Sequence, residues 1–299
     1  MKISVIIPCH NAQQWIEEAL RSVAAQSYQP HEVIVVSDAS TDDSVAIVKS
    51  TGVATHILEV TYRNAAAARN AGIAVATGEW IALLDADDVW LPHHLNDAQR
   101  ILSGSSDVAY MAHQAWIDGE STNRSDFPPL YAEIERGLTD VDFLHCFRKQ
   151  YFNHQGVLVR AAVLRDIDGY DPTLMRCHDS DMFLRAVKRH TWSYNPAVAS
   201  LYRRGRGGAL TENKVLFRYY FLKSLVKNRE EHTGALMEEL IRVASKRAMG
   251  EALAHGSGLE QRQAWELARE GLKTGSRLTY RLLMALPEGG PAAIYRLRR

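Results

Sequence analysis

A chain of 299 residues is long enough to bury a large core, as one domain or as a domain with an appendage. Hydrophobic residues make up 46% and charged residues 23% of the sequence, which excludes an intrinsically disordered protein. The net charge is zero, but residues 1–199 carry 16 Lys/Arg against 25 Asp/Glu and residues 200–299 carry 19 against 10. The acidic part suits a cation, and the basic part suits phosphates or an anionic membrane face.

The cysteines and the apolar runs indicate the compartment. The chain has three cysteines, an odd number without the spacing of a metal site, and this favours a reducing environment. No apolar run approaches the roughly 20 residues of a membrane span. The first apolar run meets Pro8 too early for a signal peptide. We therefore expect a cytoplasmic protein.

The first part of the chain alternates predicted strands with predicted helices. The strands are expected at 3–7, where Pro8 ends the first, and at 33–36, 56–60, 80–84 and 107–111. The helices between them are expected at 11–26, from 41 onward, at 64–72 and at 92–102. Strands separated by helices in this way indicate a mostly parallel sheet with right-handed crossovers. The alanine-rich helix at 64–72 can approach that sheet closely.

Beyond residue 112 the alternation of predicted strands and helices is less regular. A polar loop is expected at 118–129, short helices at 140–147 and 179–190, strands at 156–159 and 192–201, and a turn at 169–172. From Asn213 onward the chain has the pattern of helices, interrupted at 256–258 and again at 287–291.

A cluster of acids directly follows a buried-looking strand. Asp85-Ala86-Asp87-Asp88 come after the apolar run 80–84, and the period of two along a strand would put Asp85 and Asp87 on one side. Three carboxylates this close repel one another, and no basic residue lies nearby in the sequence to neutralise them. A hard divalent cation shared with a substrate phosphate would do so. The alternative is a solvated turn with a helix cap.

Common nucleotide-binding and hydrolase motifs are absent from the sequence. The chain lacks GxGxxG, GxxxxGK[ST], HExxH and GxSxG, which argues against dehydrogenase, P-loop, zinc protease and α/β-hydrolase functions. What remains is a set of acids at strand ends, namely Asp38 after the second strand and Asp85 and Asp87 after the fourth. In a parallel sheet these acids fall at the same edge, where open α/β sheets bind ligands.

Five segments in order add a family resemblance to these acids. They are Pro8-Cys9-His10-Asn11, Ser22–Tyr28, Val36–Asp42, Ala68–Gly72 and Gly78–Asp88. Together they resemble the motifs of the family 2 glycosyltransferases with the A-type fold. Further matches are Gly169–Asp171, His178–Arg185 and Tyr202-Arg203, so that the likeness covers about residues 1–210. The chain departs from the family pattern at Ser37 and Ala39, and at His178, where the family has Glu.

The resemblance implies a fold and a domain arrangement. It predicts an α/β fold in which a Rossmann-like, mostly parallel sheet of the glycosyltransferase A type is flanked by helices, with a C-terminal helical extension. Residues 1–212 would form the catalytic domain, divided into a nucleotide-binding half at 1–112 and an acceptor half at 113–212. Residues 213–299 would form the helical C-terminal region.

The resemblance also implies an activity. It predicts an inverting, metal-dependent transfer of a sugar from a nucleotide-diphospho-sugar, with UDP as the favoured nucleotide. The acceptor would be a hydroxyl of a glycan or a lipid-linked intermediate in envelope polysaccharide biosynthesis. The motif of processive synthases, Gln-x-x-Arg-Trp, is absent, which favours the addition of one sugar per encounter. No nucleic-acid partner is expected.

Matching positions carry predicted roles by this resemblance. Asp87, together with Asp85, would hold Mn²⁺ or Mg²⁺, and Asp179 would be the general base. Asp38 resembles the acid that accepts a hydrogen bond from uracil, and Asp85 could also contact the ribose. The residues predicted to bind the nucleotide sugar are Pro8, Cys9, His10, Asn11, Asp38, Arg69, Asp85, Ala86 and Arg203.

Other assignments stay open on the sequence alone. Nucleotidyl transfer to a sugar phosphate uses a similar sheet and metal site but needs a Gly-rich phosphate loop, which Pro8-Cys9-His10-Asn11 is not. A sugar-nucleotide-binding protein without catalysis is the second alternative, and Asp179 argues against it. His154 is expected on the acceptor side or as a structural residue. Trp116 and Trp192 are expected to stack on a sugar or to fill the core.

The last 28 residues combine basic side chains with apolar ones. Residues 272–299 contain six Lys/Arg and one Glu, interleaved with aliphatic and aromatic side chains. This composition suits an interfacial helix that brings the enzyme to a lipid-linked acceptor. The alternative is a helix that packs on the catalytic domain with its basic face in solvent.

Overall fold

A computed structural model of the chain describes residues 1–118, 124–125, 128–149, 154–204, 213–230 and 234–272. The chain divides into two compact units. The first consists of Met1–Met175 and Met182–Gly207, and the second of Arg176–Asp181 and Gly208–Arg299. The segment 272–299, apart from the backbone of its first residue, lies outside the described residues, as does most of the predicted loop 118–129.

The first unit begins with alternating strands and helices. In chain order these are β1 (Ile3–Cys9), α1 (Ile16–Ala24), β2 (Glu32–Asp38), α2 (Ser44–Thr51), β3 (His56–Val60), α3 (Ala65–Val75) and β4 (Trp80–Leu83). The next elements along the chain are β5 (Val89–Trp90), α4 (His94–Leu102), β6 (Ala109–Asp118), β7 (Arg124–Ser125), β8 (Glu135–Leu138), α5 (Asp140–Lys149), β9 (Val157–Arg160), α6 (Ala161–Asp166), α7 (His178–Val187) and β10 (Trp192–Arg204).

One sheet organises these strands in the order β3-β2-β1-β4-β9-β6-β10-β5, with β7 beside β6 and β8 beside β10. β1 lies between β2 and β4 and is parallel to both. The chain therefore leaves β1 toward one side of the sheet and later returns on its other side. Open α/β sheets bind ligands in the crevice at such a point, beyond the carboxyl ends of the strands. The predicted fold class, an α/β sheet flanked by helices and followed by a helical region, is confirmed.

The strands next to this point are buried because their sequences are apolar on both faces. Every residue of β2 is buried, and Val5, Ile6 and Ile7 of β1 are fully buried. Such continuous apolar runs are typical of a parallel sheet that is covered by helices on both sides. The close approach of α3 is also confirmed. A Cβ at Gly72 would lie 2.7 Å from a side-chain carbon of Ile6, which a real Cβ essentially never does.

One prediction about the strands was wrong in detail. Pro8 does not end β1, which continues to Cys9 and pairs Pro8 with Val36 of β2. Pairing with β4 stops at Ile6, so β1 is paired on one side only at Pro8, and there a proline is tolerated. β9 runs antiparallel to both β4 and β6, so the sheet is mixed, which is compatible with the predicted mostly parallel sheet.

The second unit contains three further helices, α8 (Lys214–Lys227), α9 (Ala235–His255) and α10 (Gly258–Leu272). The predicted break at 256–258 is confirmed, because α9 ends at His255 and α10 begins at Gly258. The glycine at 271 lets helices pack closely, since a Cβ there would lie 2.9 Å from a side-chain carbon of Ile241. Within the ranges that the structure describes, no helix combines the length and the apolar character needed to cross a membrane.

Candidate functional site

Hydrogen bonds join the loops that follow β1 and β2. The ring nitrogen Nδ1 of His10 donates to the carbonyl oxygen of Asp38 at 2.6 Å. Oδ1 of Asn11 accepts the backbone N–H of Thr41 at 2.8 Å. Asn11 has a left-handed backbone with φ of 47°, and its side chain bonds to the neighbouring loop, while α1 begins five residues later. The predicted donor-binding residues at 8–11 thus border one connected pair of loops.

Asp38, at the end of β2, is buried and organises the start of α3. Its Oδ1 accepts the N–H of Arg63 and its Oδ2 accepts the N–H of Asn64, each at 2.7 Å. These bonds stabilise the left-handed backbone of Arg63, which has φ of 52°. Asn64 then caps α3, because its side-chain oxygen accepts two backbone N–H groups of the first turn. Asp38 therefore supports the loop in addition to any role in nucleotide binding.

The acids after β4 form a tight turn with their carboxylates close together. The N–H of Asp88 donates to the carbonyl oxygen of Asp85 at 3.2 Å. One carboxylate oxygen from each of Asp85, Asp87 and Asp88 lies within 4.8 Å of the others. Ala86, between them, is buried. The turn stands at the carboxyl end of β4, beside the point where the chain changes sides of β1.

Asp85 has partners that local sequence does not reveal. Its Oδ1 forms an ion pair with the buried guanidinium of Arg69, and its Oδ2 accepts a hydrogen bond from Nε2 of Gln155 at 2.7 Å. Burial alone would raise the pKa of Asp85, but the charge of Arg69 and the bond from Gln155 hold it below its usual range. No basic residue lies near the acids in the sequence, but in the folded chain Arg69 neutralises one of them. Arg69 comes to them from α3.

Arg203 on β10 holds the other end of the turn. Its backbone N–H donates to Oδ1 of Asp88 at 2.8 Å, and its Nε donates to the carbonyl oxygen of Asp87 at 3.2 Å. The guanidinium also pairs with Glu18 at 2.7 Å and lies 4.4 Å from the ring centroid of Trp15. Arg203 is buried, so it acts as a clamp that ties β10 and α1 to the acids.

The donor set of the turn fits a hard divalent cation. Burial, followed by the charge of Asp85, raises the pKa of Asp88 well above its ordinary value. Oδ2 of Asp88 is buried without a hydrogen-bond partner among the described residues. Buried polar atoms normally have a partner, and a bound cation would supply one. Carboxylate oxygens are also the ligands that Mg²⁺ and Mn²⁺ prefer.

His154 and Tyr170 extend the network around Arg69. Nε2 of His154 lies 2.8 Å from the hydroxyl oxygen of Tyr170, and the guanidinium carbon of Arg69 lies 5.5 Å from the Tyr170 ring centroid. Both His154 and Tyr170 are buried. In this structure His154 therefore supports the Gly-Tyr-Asp turn, which agrees with the structural alternative for this residue.

The two tryptophans have different surroundings. Trp192 is fully buried against Phe143 and Phe183, and its Nε1 donates to the carbonyl oxygen of Thr139 at 2.9 Å. It is thus a core residue and not available to stack on a sugar. Trp116 is half-buried, and the guanidinium carbon of Arg204 lies 3.9 Å from its ring centroid.

Asp179 and Asp181 belong to the second unit and differ in how deeply their side chains are buried. Asp179 is half-buried in the first turn of α7, and its Oδ1 accepts the N–H of Ser180 at 2.8 Å. Asp181 is fully buried, where it accepts a bond from Asn228 at 2.8 Å and pairs with Lys227 at 3.2 Å. Asp181 therefore anchors α7 to α8, and the more accessible Asp179 remains the candidate base.

The structure thus brings the predicted residues into separate groups. Asp85 and Asp87 meet Arg69 and Arg203 at the acid turn, while Asp38, His10 and Asn11 lie together in the loops after β1 and β2. Sequence reasoning missed Gln155 as a partner of Asp85. No periodicity or motif identifies it, since its contact depends on the pairing of β9 with β4.

Solved structures with the same fold are similar to this chain. The structure of S. aureus TarS 1–349 in complex with UDP aligns with a TM-score of 0.74 at 17% identity, over 100% of this chain and 92% of that one. The mannosyltransferase PcManGT from Pyrobaculum calidifontis, in complex with GDP-Man and Mn²⁺, aligns with a TM-score of 0.60 at 19% identity, over 98% and 81%. At these identities the likeness concerns the fold.

Curated sequences add a family relationship. An uncharacterized glycosyltransferase of Nostoc sp. is 33% identical over 184 residues, which are 59% of this chain and 56% of that protein. The poly(ribitol-phosphate) beta-N-acetylglucosaminyltransferase TarS of Staphylococcus aureus is 26% identical over 189 residues, 61% of this chain and 32% of that protein. The chain thus spans little more than half the length of the first relative and about a third of the second.

The sequence model of the family described as Glycosyl transferase family 2 matches residues 4–168. This match includes β1 to β4, the acid turn and β9, whereas Arg203 on β10 and Asp179 on α7 lie beyond it. Because it covers more than half of the chain, the protein belongs to glycosyl transferase family 2.

Proposed function

We propose that the protein transfers a sugar from a nucleotide-diphospho-sugar, with UDP as the nucleotide, to a hydroxyl of a glycan or lipid-linked acceptor. The observation that carries this proposal is the acid turn Asp85–Asp88 at the carboxyl end of β4, with three carboxylates within 4.8 Å of one another. Membership of the family supports sugar transfer over nucleotidyl transfer to a sugar phosphate. The domain at 1–212 would hold donor and acceptor in its halves 1–112 and 113–212, with 213–299 as the helical extension.

The reaction follows from the chemistry of the two substrates. The acceptor oxygen attacks the anomeric carbon, the bond from that carbon to the diphosphate oxygen breaks, and the diphosphate leaves with the electron pair. A sugar hydroxyl is a poor nucleophile near neutral pH, so a carboxylate must accept its proton. Asp179 takes this role in the proposal, since it is half-buried and its Oδ1 accepts a local bond from the N–H of Ser180. Attack from the face opposite the diphosphate inverts the anomeric centre.

The leaving group sets the second requirement. Asp87 and Asp85, with Asp88 beside them, would hold Mn²⁺ or Mg²⁺, which neutralises the charge that develops on the diphosphate. The neighbour PcManGT was solved with GDP-Man and Mn²⁺, which supports a cation of this type. Arg69 contributes a positive charge to the same region through its pair with Asp85.

The nucleotide is proposed to lie along the loops after β1 and β2. Pro8, Cys9, His10 and Asn11 would border it, and Asp38 would accept a hydrogen bond from the base. Each oxygen of Asp38 already accepts one backbone N–H and has capacity for another bond. UDP is preferred because TarS, similar in fold, was solved with UDP and with UDP-GlcNAc.

The acceptor proposal rests on composition and on one relative. TarS is a poly(ribitol-phosphate) glycosyltransferase, and this supports a polymeric envelope acceptor for this chain too. The basic, apolar segment 272–299 would bring the enzyme to the cytoplasmic face of the membrane, where lipid-linked acceptors are found.

A thermal-shift screen tests the proposal directly. The full chain would be heated with UDP-sugars, GDP-sugars, or a sugar phosphate with a nucleoside triphosphate, each with Mn²⁺ and with EDTA. A rise in Tm with a UDP-sugar and Mn²⁺ is expected, because a ligand that binds only the folded state stabilises it. A rise with the sugar phosphate and triphosphate alone would replace the proposal by nucleotidyl transfer.

A further inference from the structure

Gln155 makes two hydrogen bonds to a single residue of the acid turn. It lies in a short 3₁₀ turn, His154–Gly156, directly before β9, and only 3% of it is exposed. Its Nε2 donates to Oδ2 of Asp85 at 2.7 Å, and its Oε1 accepts the backbone N–H of Asp85 at 2.8 Å. Only one orientation of the amide satisfies both bonds, since the reverse would set a carbonyl oxygen against the carboxylate.

The backbone of Gln155 is held by Trp90 and by the strand that follows it. The carbonyl oxygen of Gln155 accepts the indole N–H of the buried Trp90 at 2.6 Å. The strand that follows, β9, is paired with both β4 and β6. Gln155 is therefore presented to Asp85 from backbone that is tied to Trp90 and leads directly into the sheet.

Both oxygens of the Asp85 carboxylate are thus oriented by other side chains. Arg69 forms an ion pair with Oδ1 and Gln155 donates a hydrogen bond to Oδ2, so rotation of the carboxylate would break one of these interactions. Each oxygen retains capacity for a further bond. We propose that Gln155 is a positioning residue, which fixes the Asp85 carboxylate in the orientation that receives the nucleotide-sugar donor. This inference rests on the proposed function.

Two substitutions separate the two bonds of Gln155. Gln155→Met retains the length of the side chain and removes both bonds. Gln155→Glu also retains the length and places an acceptor against Oδ2 of Asp85 instead of a donor. We expect Gln155→Met to raise the Kd for UDP with Mn²⁺ about tenfold, the size of one hydrogen bond to a charged group. Gln155→Glu should raise it further, because the two carboxylates repel each other.

Gln26 provides a matched control. It is also buried, with 2% exposed, and its amide donates to the carbonyl oxygens of Leu91 at 2.8 Å and Ser22 at 3.1 Å and accepts the N–H of Leu95 at 3.0 Å. Gln26→Met therefore removes a similar set of buried bonds away from Asp85. Both Met variants should lower Tm by similar amounts, while only Gln155→Met should weaken UDP binding in calorimetry at a temperature where all variants are folded.

A double variant tests whether Gln155 acts through Asp85. In the Asp85→Ala background, Gln155→Met should cause no further loss of UDP affinity, because the group that it orients is gone. Equal UDP affinity in wild type and both Gln155 variants, a loss as large in Gln26→Met, or an additive loss in the double variant would overturn the proposal. If wild type itself binds no nucleotide with Mn²⁺, the proposed function fails, and the positioning role fails with it.

Discussion

Asn70 binds both backbone polar groups of Tyr170. Its Nδ2 donates to the carbonyl oxygen of Tyr170, and its Oδ1 accepts the N–H of the same residue, both at 2.8 Å. This pair joins α3 to a turn 100 residues later in the chain. The neighbours of Asn70 in the motif Ala68–Gly72 also have identifiable roles. Arg69 pairs with Asp85, and Gly72 allows α3 to pack closely on β1. Neighbouring residues of one helix therefore organise the acids, the turn and the sheet.

The turn held by Asn70 predicts a large effect of a small substitution. Gly169 has a left-handed backbone with φ of 63°, and a Cβ on it would clash with Oδ1 of Asn70. Gly169→Ala should therefore lower the free energy of unfolding by about 2–4 kcal/mol, since backbone strain and overpacking add. Urea unfolding measures the difference.

Gly52 is the control for this prediction. Its φ of 65° is nearly the same, but among the described residues, apart from its two chain neighbours, no heavy atom lies within 4 Å of a Cβ placed there. Gly52→Ala should cost only the strain of the left-handed backbone, about 1–2 kcal/mol. Equal losses in the two variants would show that contact with Asn70 contributes nothing.

Asp87 is predicted to couple donor binding to a metal ion. In calorimetry, wild type should bind UDP with Mn²⁺ at least tenfold more tightly than with EDTA, because a cation held by the carboxylates would offset the negative charge of the diphosphate. Asp87→Ala should remove most of this difference. The same affinity in the presence of Mn²⁺ and EDTA, in a protein that binds UDP, would contradict a metal role for the acid turn.

Asp179 is predicted to act on catalysis and not on donor affinity. Asp179→Asn should reduce turnover by about 10²–10⁴-fold, the usual contribution of a general base, while the Kd for the donor stays within a factor of a few. Near-normal turnover would place the base elsewhere.

Asp181 is the control for the base and is expected to behave differently. Its contacts with Lys227 and Asn228 stabilise the second unit. Asp181→Asn should lower the urea midpoint, because it removes a buried charge from its partners. Turnover per folded molecule should stay within a factor of a few of wild type.

Glu32 is predicted to make the free energy of unfolding depend on pH in the acid range. It is buried at the start of β2, where Oε1 accepts hydrogen bonds from Ser4 at 2.5 Å and from the N–H of Thr77 at 2.7 Å. Burial raises the pKa of Glu32, but these bonds outweigh it and lower the pKa below its ordinary 4.5. The folded state therefore binds fewer protons than the unfolded chain, and the stabilisation is lost as the pH falls from 4.5 through the folded-state pKa.

Two variants check the contribution of Glu32. Glu32→Gln should unfold more easily at neutral pH and should lose less stability than wild type on going from pH 5 to pH 3. Glu59→Gln is the exposed control, with a side chain 65% accessible and a 3.8 Å pair with Lys49. It should follow the wild-type curve. Parallel curves for wild type and Glu32→Gln would assign the acid sensitivity to other groups.

The C-terminal segment is predicted to bind anionic membranes. Six Lys/Arg against one Glu give residues 272–299 a net charge of +5, and each cation near an anionic surface contributes on the order of 1 kcal/mol. Full-length protein should float with anionic liposomes at low salt and remain in the unbound fraction at high salt. A chain that ends at residue 270 should not float at either salt concentration. Identical behaviour of the two proteins would favour a structural role for the segment.

Much of the fold could be predicted because its determinants are local. The strand His56–Val60 was predicted with its observed bounds, and the acids at the ends of β2 and β4 were found from strand-end positions alone. Two features of the local sequence led to errors, one in the end of β1 and one in the omission of β5. Pro8 is compatible with a strand that is paired on one side, and β5, with only two residues, is too short to leave a period.

By itself the sequence determined the alternating strands and helices, the acid turn after β4 and the family motifs, since period, composition and spacing are properties of neighbouring residues. Tertiary structure alone decided which groups surround the acids. Arg69, Gln155 and Arg203 are separated from their partners in the turn by 16, 70 and 115 positions. Such contacts depend on how α3, β9 and β10 are arranged around β4, and no pattern along the chain encodes that arrangement.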